Sequence, residues 1–107
     1  MPTINIEYDD TKLQDKEIVT LSNAIQRIVS EITGIEDVFV YANSAHIKVK
    51  IAPIEILIRI SEQKIKDLDV LFTEVKRELS GWKTKTGFHH MINLTIIPMK
   101  WKFETNI

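Results

Sequence analysis

The chain opens with Met1-Pro2-Thr3-Ile4-Asn5-Ile6-Glu7-Tyr8, and this stretch decides the fold that we predict. Its apolar residues alternate with polar ones, which is the two-residue period of a half-buried β-strand. Proline is tolerated as the first residue of a strand because it has no N–H to donate to the ladder. If Met1 is removed, the secondary amine of Pro2 becomes the first group of the chain, fixed at the end of a sheet.

Composition limits the classes of protein that the chain can belong to. Its 107 residues are 44% hydrophobic, which favours one folded domain spanning residues 1–107. The 14 basic and 15 acidic residues are interspersed, so no positive field points to nucleic acid. There is no cysteine, and hence no disulfide or thiolate chemistry. Without a long apolar run we expect no membrane association and a cytoplasmic location.

Two amphipathic helices are predicted from apolar residues at helical spacing. The first runs from about Asp15 to Thr33, and Gly34 ends it as a glycine just past the last turn often does. For the second helix we expect Ser61 as the N-cap, an end near Ser80, and Gly81 as the terminating residue. Residues 82–90 are then expected to form a loop.

Further strands are predicted from β-branched, aromatic or alternating residues at 38–42, 46–52, 54–60, 91–97 and 99–104. The segment Ile54–Ile60 is almost continuously apolar, so we expect a strand buried on both faces or nearly so. Residues 46–52 and 99–104 alternate strictly and are expected to form short extra strands.

The two halves of the chain resemble each other. Pro2 and Pro53 each precede a strand and an amphipathic helix, and Gly34 and Gly81 follow the helices, although such patterns also arise by chance. The pseudo-repeats cover about residues 2–42 and 53–98. The predicted fold is therefore α/β (α+β), a doubled β-α-β with a four-stranded mixed sheet, short extra strands and two helices on one face. The open sheet face predicts a homo-oligomer.

These features resemble the tautomerase superfamily, whose members begin Met-Pro and use the exposed prolyl amine. The residues that carry the resemblance are Pro2 with the strand 3–8, the apolar strand and helix start of 54–63, and the tail 93–99. The resemblance implies an inward-facing sheet assembly, most commonly a trimer, a small carbonyl or carboxylate substrate, and Pro2 as the catalytic acid/base. No cofactor is expected.

The resemblance is incomplete at the residues that hold the substrate. Characterised isomerases of the superfamily bind a substrate carboxylate with arginines. Where these arginines are expected, this chain has Thr11 and Lys12 after the first strand, and Phe39 and Tyr41 in the strand after the first helix. Lys12 is then the nearest substitute for one of them.

An amine at Pro2 has a plausible chemistry. An α-amino group titrates near about pH 8 in water, and burial lowers the pKa of a cation. A neutral amine can take a proton from carbon beside a carbonyl and return it elsewhere, which is general acid–base catalysis. The alternative is a proline that only starts a strand. The same fold could also serve as a non-catalytic oligomeric scaffold or binding protein.

Three residues are predicted as polar partners of Pro2: Lys12, Tyr41 and Arg59. Arg59 could bind a carboxylate bidentately, or it could instead form a salt bridge with Glu7 or Glu55. Tyr41, like Tyr8, could donate to a developing enolate oxygen, or it could simply be a half-buried sheet residue.

Two other patterns are assigned no site. His89 and His90 are adjacent, and because neighbouring residues on a strand point to opposite faces we expect no metal there. Trp101 and Phe103 alternate with lysines, which could stack on single-stranded nucleic acid. With the near-neutral charge of the chain, we expect contact between subunits instead.

Overall fold

A computed structural model gives the structure of the protein and describes residues 2–107, so the expected removal of Met1 concerns a residue outside this range. The elements in chain order are β1 (Thr3–Tyr8), α1 (Asp15–Thr33), β2 (Phe39–Asn43), β3 (Ile54–Ser61), a 3-10 turn (Glu62–Lys64), α2 (Leu68–Thr86) and β4 (Asn93–Met99). Within the described range, neither helix combines the length and apolar character needed to span a membrane.

The four strands form one mixed sheet in the order β2-β1-β3-β4. β1 pairs with β2 in parallel, β3 pairs with β4 in parallel, and the two central strands β1 and β3 are antiparallel. The predicted α+β class, with a doubled β-α-β and a four-stranded mixed sheet, is confirmed.

One face of the sheet forms the core with the helices. α1 contributes six buried residues at helical spacing, whereas α2 contributes only two. Burial of apolar surface against the sheet is the main force that holds both helices in place. The buried side chains are Ile4, Ile6, Ile54, Ile56, Ile58 and Ile60 of the sheet, Ile18, Leu21, Ala24, Ile25, Ile28 and Val29 of α1, and Val75 and Leu79 of α2.

The strand β3 meets its predicted burial in part within one chain. Its burial alternates, with isoleucines inside and Glu55, Leu57 and Arg59 half-buried on the other side. The sequence ran apolar almost without interruption because Leu57 occupies an outward position. Within one chain, β3 is therefore buried on one face only, and that other side of the sheet is called the open face below.

The second helix starts and ends later than predicted. Ser61 is not its N-cap. Asp67 takes that role, and its carboxylate accepts a hydrogen bond of 3.2 Å from the N–H of Val70. Gly81 lies inside the helix, which ends at Gly87 in a left-handed conformation with φ of 73°. The predicted loop 82–90 is thus helical to residue 86, and the Trp82 ring packs on Phe88 with centroids 5.0 Å apart.

Neither predicted extra strand forms in the described range. Residues 46–52 have no sheet partner, and Ile47 and Val49 are 81% and 99% exposed. An alternating pattern makes a strand only where another strand offers a ladder, and here none does. β4 instead includes Pro98 and ends at Met99. Proline fits because β4 is an edge strand, whose outer side has no ladder.

Candidate functional site

Pro2 lies directly before the start of β1 and close to the end of β3. Its ring is fully buried, and its carbonyl accepts a hydrogen bond of 3.3 Å from the N–H of Phe39 at the start of β2. The next residue, Thr3, pairs with Phe39 on one side and with Arg59 of β3 on the other. Pairing with two neighbouring strands fixes the start of β1, and with it the position of Pro2.

Arg59 is held on the open face by a neighbouring strand. Its Nη1 donates a hydrogen bond of 2.8 Å to Oδ1 of Asn5, in a part-buried setting. Asn5 in turn pairs with Tyr41 of β2. Arg59 and Tyr41 therefore flank Asn5 on the same side of the sheet, close to the Pro2 end.

The salt bridge considered for Arg59 does not form in the described part of the chain. Glu55 instead accepts a hydrogen bond of 3.1 Å from Nδ2 of Asn93, and Arg59 has Asn5 as its hydrogen-bond partner. One Nη1–H bond leaves the other guanidinium N–H groups able to donate. The geometry therefore keeps Arg59 available to an anion on the open face.

Lys12 is not near Pro2. It lies exposed in the turn after β1, whose N–H groups bond back to the carbonyl of Asp9. The six residues of β1 separate this turn from Pro2 by about 20 Å at the usual rise of a strand. Of the predicted residues, the structure brings together Pro2, Tyr41 and Arg59, and it places Lys12 at the opposite end of the sheet.

Tyr8 also belongs to that opposite end. Its hydroxyl donates a hydrogen bond of 3.5 Å to Oδ1 of Asp15. Burial raises the pKa of Tyr8, and the negative charges of Asp15 and Asp10 raise it further. Tyr8 is therefore a weaker acid than a free tyrosine and lies apart from Pro2, Tyr41 and Arg59.

Several surface cavities lie away from Pro2. Five of them have volumes of about 290 to 360 Å³, and their linings do not include Pro2, Tyr41 or Arg59.

The two adjacent histidines do not point apart. They precede β4, and their rings stack with centroids 4.7 Å apart. Nε2 of His90 lies 2.7 Å from Oε2 of Glu17 on α1, whose other carboxylate oxygen accepts the N–H of Gln14 at 3.0 Å. These bonds, first that of Gln14 and then that of His90, lower the pKa of Glu17. Among residues 2–107, no group of three or more side chains is arranged to hold a metal ion.

Sequence reasoning missed Asn5 and the Glu17–His90 pair. Alternation places Asn5 on the open face, but only the register between β1 and β3 shows that Arg59 reaches it. Glu17 and His90 are 73 residues apart. The sequence pattern around them predicted a helix start and a loop, with no sign of their contact.

No protein-family model matches the sequence. None of the curated proteins matches it either.

Solved structures share the fold across nearly the whole chain. Leishmania major MIF2 is 16% identical, with 98% of this chain and 94% of that chain covered and a TM-score of 0.65. A 5-carboxymethyl-2-hydroxymuconate delta-isomerase is 12% identical, with 100% of this chain and 88% of that chain covered and a TM-score of 0.65. A fused 4-OT asymmetric trimer is 11% identical, with 91% of this chain and 85% of that chain covered and a TM-score of 0.65. These neighbours are tautomerase-superfamily proteins, so the predicted tautomerase-like fold is confirmed.

Proposed function

We propose that this protein catalyses proton transfer on a small keto or enol compound, with the amine of Pro2 as the acid/base after removal of Met1. The observation that carries the proposal is the position of Pro2, buried at the start of a central strand and one residue from the pair Thr3–Arg59. Burial favours the neutral amine, which is the form that accepts a proton from carbon.

In this proposal Arg59 holds the carboxylate of the substrate. Its guanidinium is anchored by Asn5 and keeps free N–H groups, which suit charge-assisted bonds to a carboxylate. Tyr41 flanks the same place and is 54% exposed, so its hydroxyl can donate to a developing enolate oxygen. Lys12 takes part only if it comes from a neighbouring subunit.

We further propose that the site is completed in a homo-oligomer, with a trimer as the expected state. The open face exposes Phe39 and Tyr41 and leaves Leu57 and Ile97 half-buried, and a second copy would cover them. One fold neighbour is a 4-OT trimer, which supports this assembly. Light scattering at micromolar concentration is expected to give about three times the chain mass, and a monomer would contradict the assembly.

The enzyme proposal is tested in two steps. Mass spectrometry of protein from its native cell is expected to show a chain that starts at Pro2, and uniform retention of Met1 overturns the prolyl mechanism. The processed protein is then assayed for ketonisation of phenylpyruvate and hydroxyphenylpyruvate, beside Pro2→Ala. We expect the wild type to be faster by about 10²-fold or more, as general acid–base catalysis supplies.

Equal rates in the two proteins favour the second candidate, a non-catalytic oligomeric scaffold or binding protein. The observation that favours this alternative is the absence of arginine at the positions where the resemblance would put it, which hold Thr11, Lys12, Phe39 and Tyr41. An oligomer without ketonisation activity is its expected signature.

A further inference from the structure

A groove separates the second helix from the edge strand, and we call it the α2–β4 groove. It has a volume of about 360 Å³, its floor is formed by Leu79, Ile92 and Leu94, and Lys76 and Lys83 stand on its rim. Only two side chains of α2 are buried in the core, and the adjacent side of β4 stays partly uncovered, which leaves room for the groove. This volume lies in the range of small-molecule sites.

The two rim lysines are not neutralised by the protein. The positions three and four residues away from each hold only Phe, Thr, Leu, Ser or Gly, so no acidic residue can pair with them along the helix. In the described part of the chain, no acidic side chain lines the groove, and neither lysine takes part in an ion pair. Two positive charges therefore stand beside a lining that is mostly apolar, with Ser80 and Asn93 as its uncharged polar residues.

The spacing of the lysines indicates the shape of a complementary ligand. Lys76 and Lys83 are seven residues apart on one side of α2, which is two helical turns or about 10 Å. The floor between them is mostly apolar, with the side chains of Leu79, Ile92 and Leu94. We propose that the α2–β4 groove binds a linear dicarboxylate of about eight carbons, with one carboxylate at each lysine and the methylene chain on Leu79, Ile92 and Leu94.

This groove is separate from the Pro2 site. Its β4 wall is at residues 92–94, the start of the strand, and Leu94 pairs with Ile56. The other end of β4 holds Pro98, which pairs with Ile60 near Pro2. Leu94 and Pro98 are four positions apart, which corresponds to about 13 Å of strand. The proposal thus adds a second site and does not depend on the chemistry of Pro2.

The test compares suberate with octanoate, which has the same chain length and a single carboxylate. Calorimetry on the wild type is expected to give suberate the tighter binding by about 2- to 5-fold, the value of one exposed ion pair. Lys76→Gln and Lys83→Gln should each remove this advantage. Lys85→Gln is the matched control, because Lys85 is exposed on the same helix outside the groove, and it should leave the advantage unchanged.

Amide chemical shifts provide an independent measurement. On addition of suberate, we expect the largest changes at Leu79, Ile92 and Leu94. The proposal is overturned if suberate and octanoate bind equally, or if Lys85→Gln loses the advantage of suberate as the rim variants do. It is overturned as well if the amide shift changes lie outside the groove. It is also overturned if suberate does not bind. If the two rim variants then change the mass measured by light scattering, the groove is a contact between copies.

Discussion

Arg59 and Asn5 lie on the two central antiparallel strands, and Nη1 of Arg59 donates a hydrogen bond of 2.8 Å to Oδ1 of Asn5. This bond fixes a cation on the open face beside β1, the strand that directly follows Pro2. It gives the proposed enzyme a substrate-holding group that the sequence alone only suggested.

The proposed role of Arg59 predicts a graded loss of ketonisation. Arg59→Gln should lower kcat/KM by about 10- to 100-fold, because a hydrogen bond to a charged group is worth about 1.5–3 kcal/mol. Asn5→Ala should cost only about 2- to 10-fold, since a neutral bond is worth about 0.5–1.5 kcal/mol and Asn5 only positions the guanidinium. Arg77→Gln on exposed α2 is the control with no expected effect. An unchanged kcat/KM in Arg59→Gln would remove Arg59 from the site.

The start of α2 predicts a difference between two capping candidates. Asp67→Ala should lower the free energy of unfolding by about 1 kcal/mol, because it removes the acceptor for the N–H of Val70. Ser61→Ala should leave it nearly unchanged, because the Ser61 side chain makes no capping hydrogen bond. Urea unfolding followed by circular dichroism measures both. Equal destabilisation by the two variants would contradict the helix start at Leu68.

Gly81 inside α2 and Gly87 at its end predict opposite effects of an alanine substitution on stability. Gly81→Ala should stabilise the protein by about 0.5–1 kcal/mol, because alanine is the better helix former. An added Cβ at Gly81 meets no atom within 4 Å. Gly87→Ala should destabilise by about 1–2 kcal/mol, because its φ of 73° is left-handed. Thermal unfolding is the measurement, and destabilisation by Gly81→Ala would place the helix end where the sequence suggested.

The Glu17–His90 contact predicts a pH dependence of stability. The pKa of Glu17 is lowered in the folded protein, chiefly by the N–H of Gln14 and then by His90. A lowered carboxyl pKa contributes stability above the ordinary value of 4.5, and this stability is lost as the pH falls through the lowered pKa. Glu17→Gln should therefore be less stable than the wild type at pH 7.

The same comparison in acid is the check on this mechanism. At about pH 3 the difference between Glu17→Gln and the wild type should shrink, as the wild-type carboxyl becomes protonated. Glu31→Gln serves as the control, because Glu31 makes only an exposed contact of 3.7 Å with Arg27. A difference that stays constant between the two pH values would mean that Glu17 acts through packing and not through its charge.

The sequence by itself determined the first helix, the order of the four strands and two helices that form, and the place of Pro2 at the head of a strand. These features depend on local periodicity and on short-range signals such as Gly34, which a single segment contains in full. The doubled β-α-β architecture followed from them and is confirmed. The division into pseudo-repeats at about residues 2–42 and 53–98 stays a prediction.

Only the tertiary structure decided what surrounds Pro2. The register of β1 against β3 puts Arg59 beside Asn5, and the length of β1 keeps Lys12 away. The structure also shows that α2 continues through Gly81 to Thr86, and that Trp82 in its last turns packs on Phe88 just after its end. Contacts between segments far apart in sequence depend on pairing and packing, and no local pattern of residues encodes them.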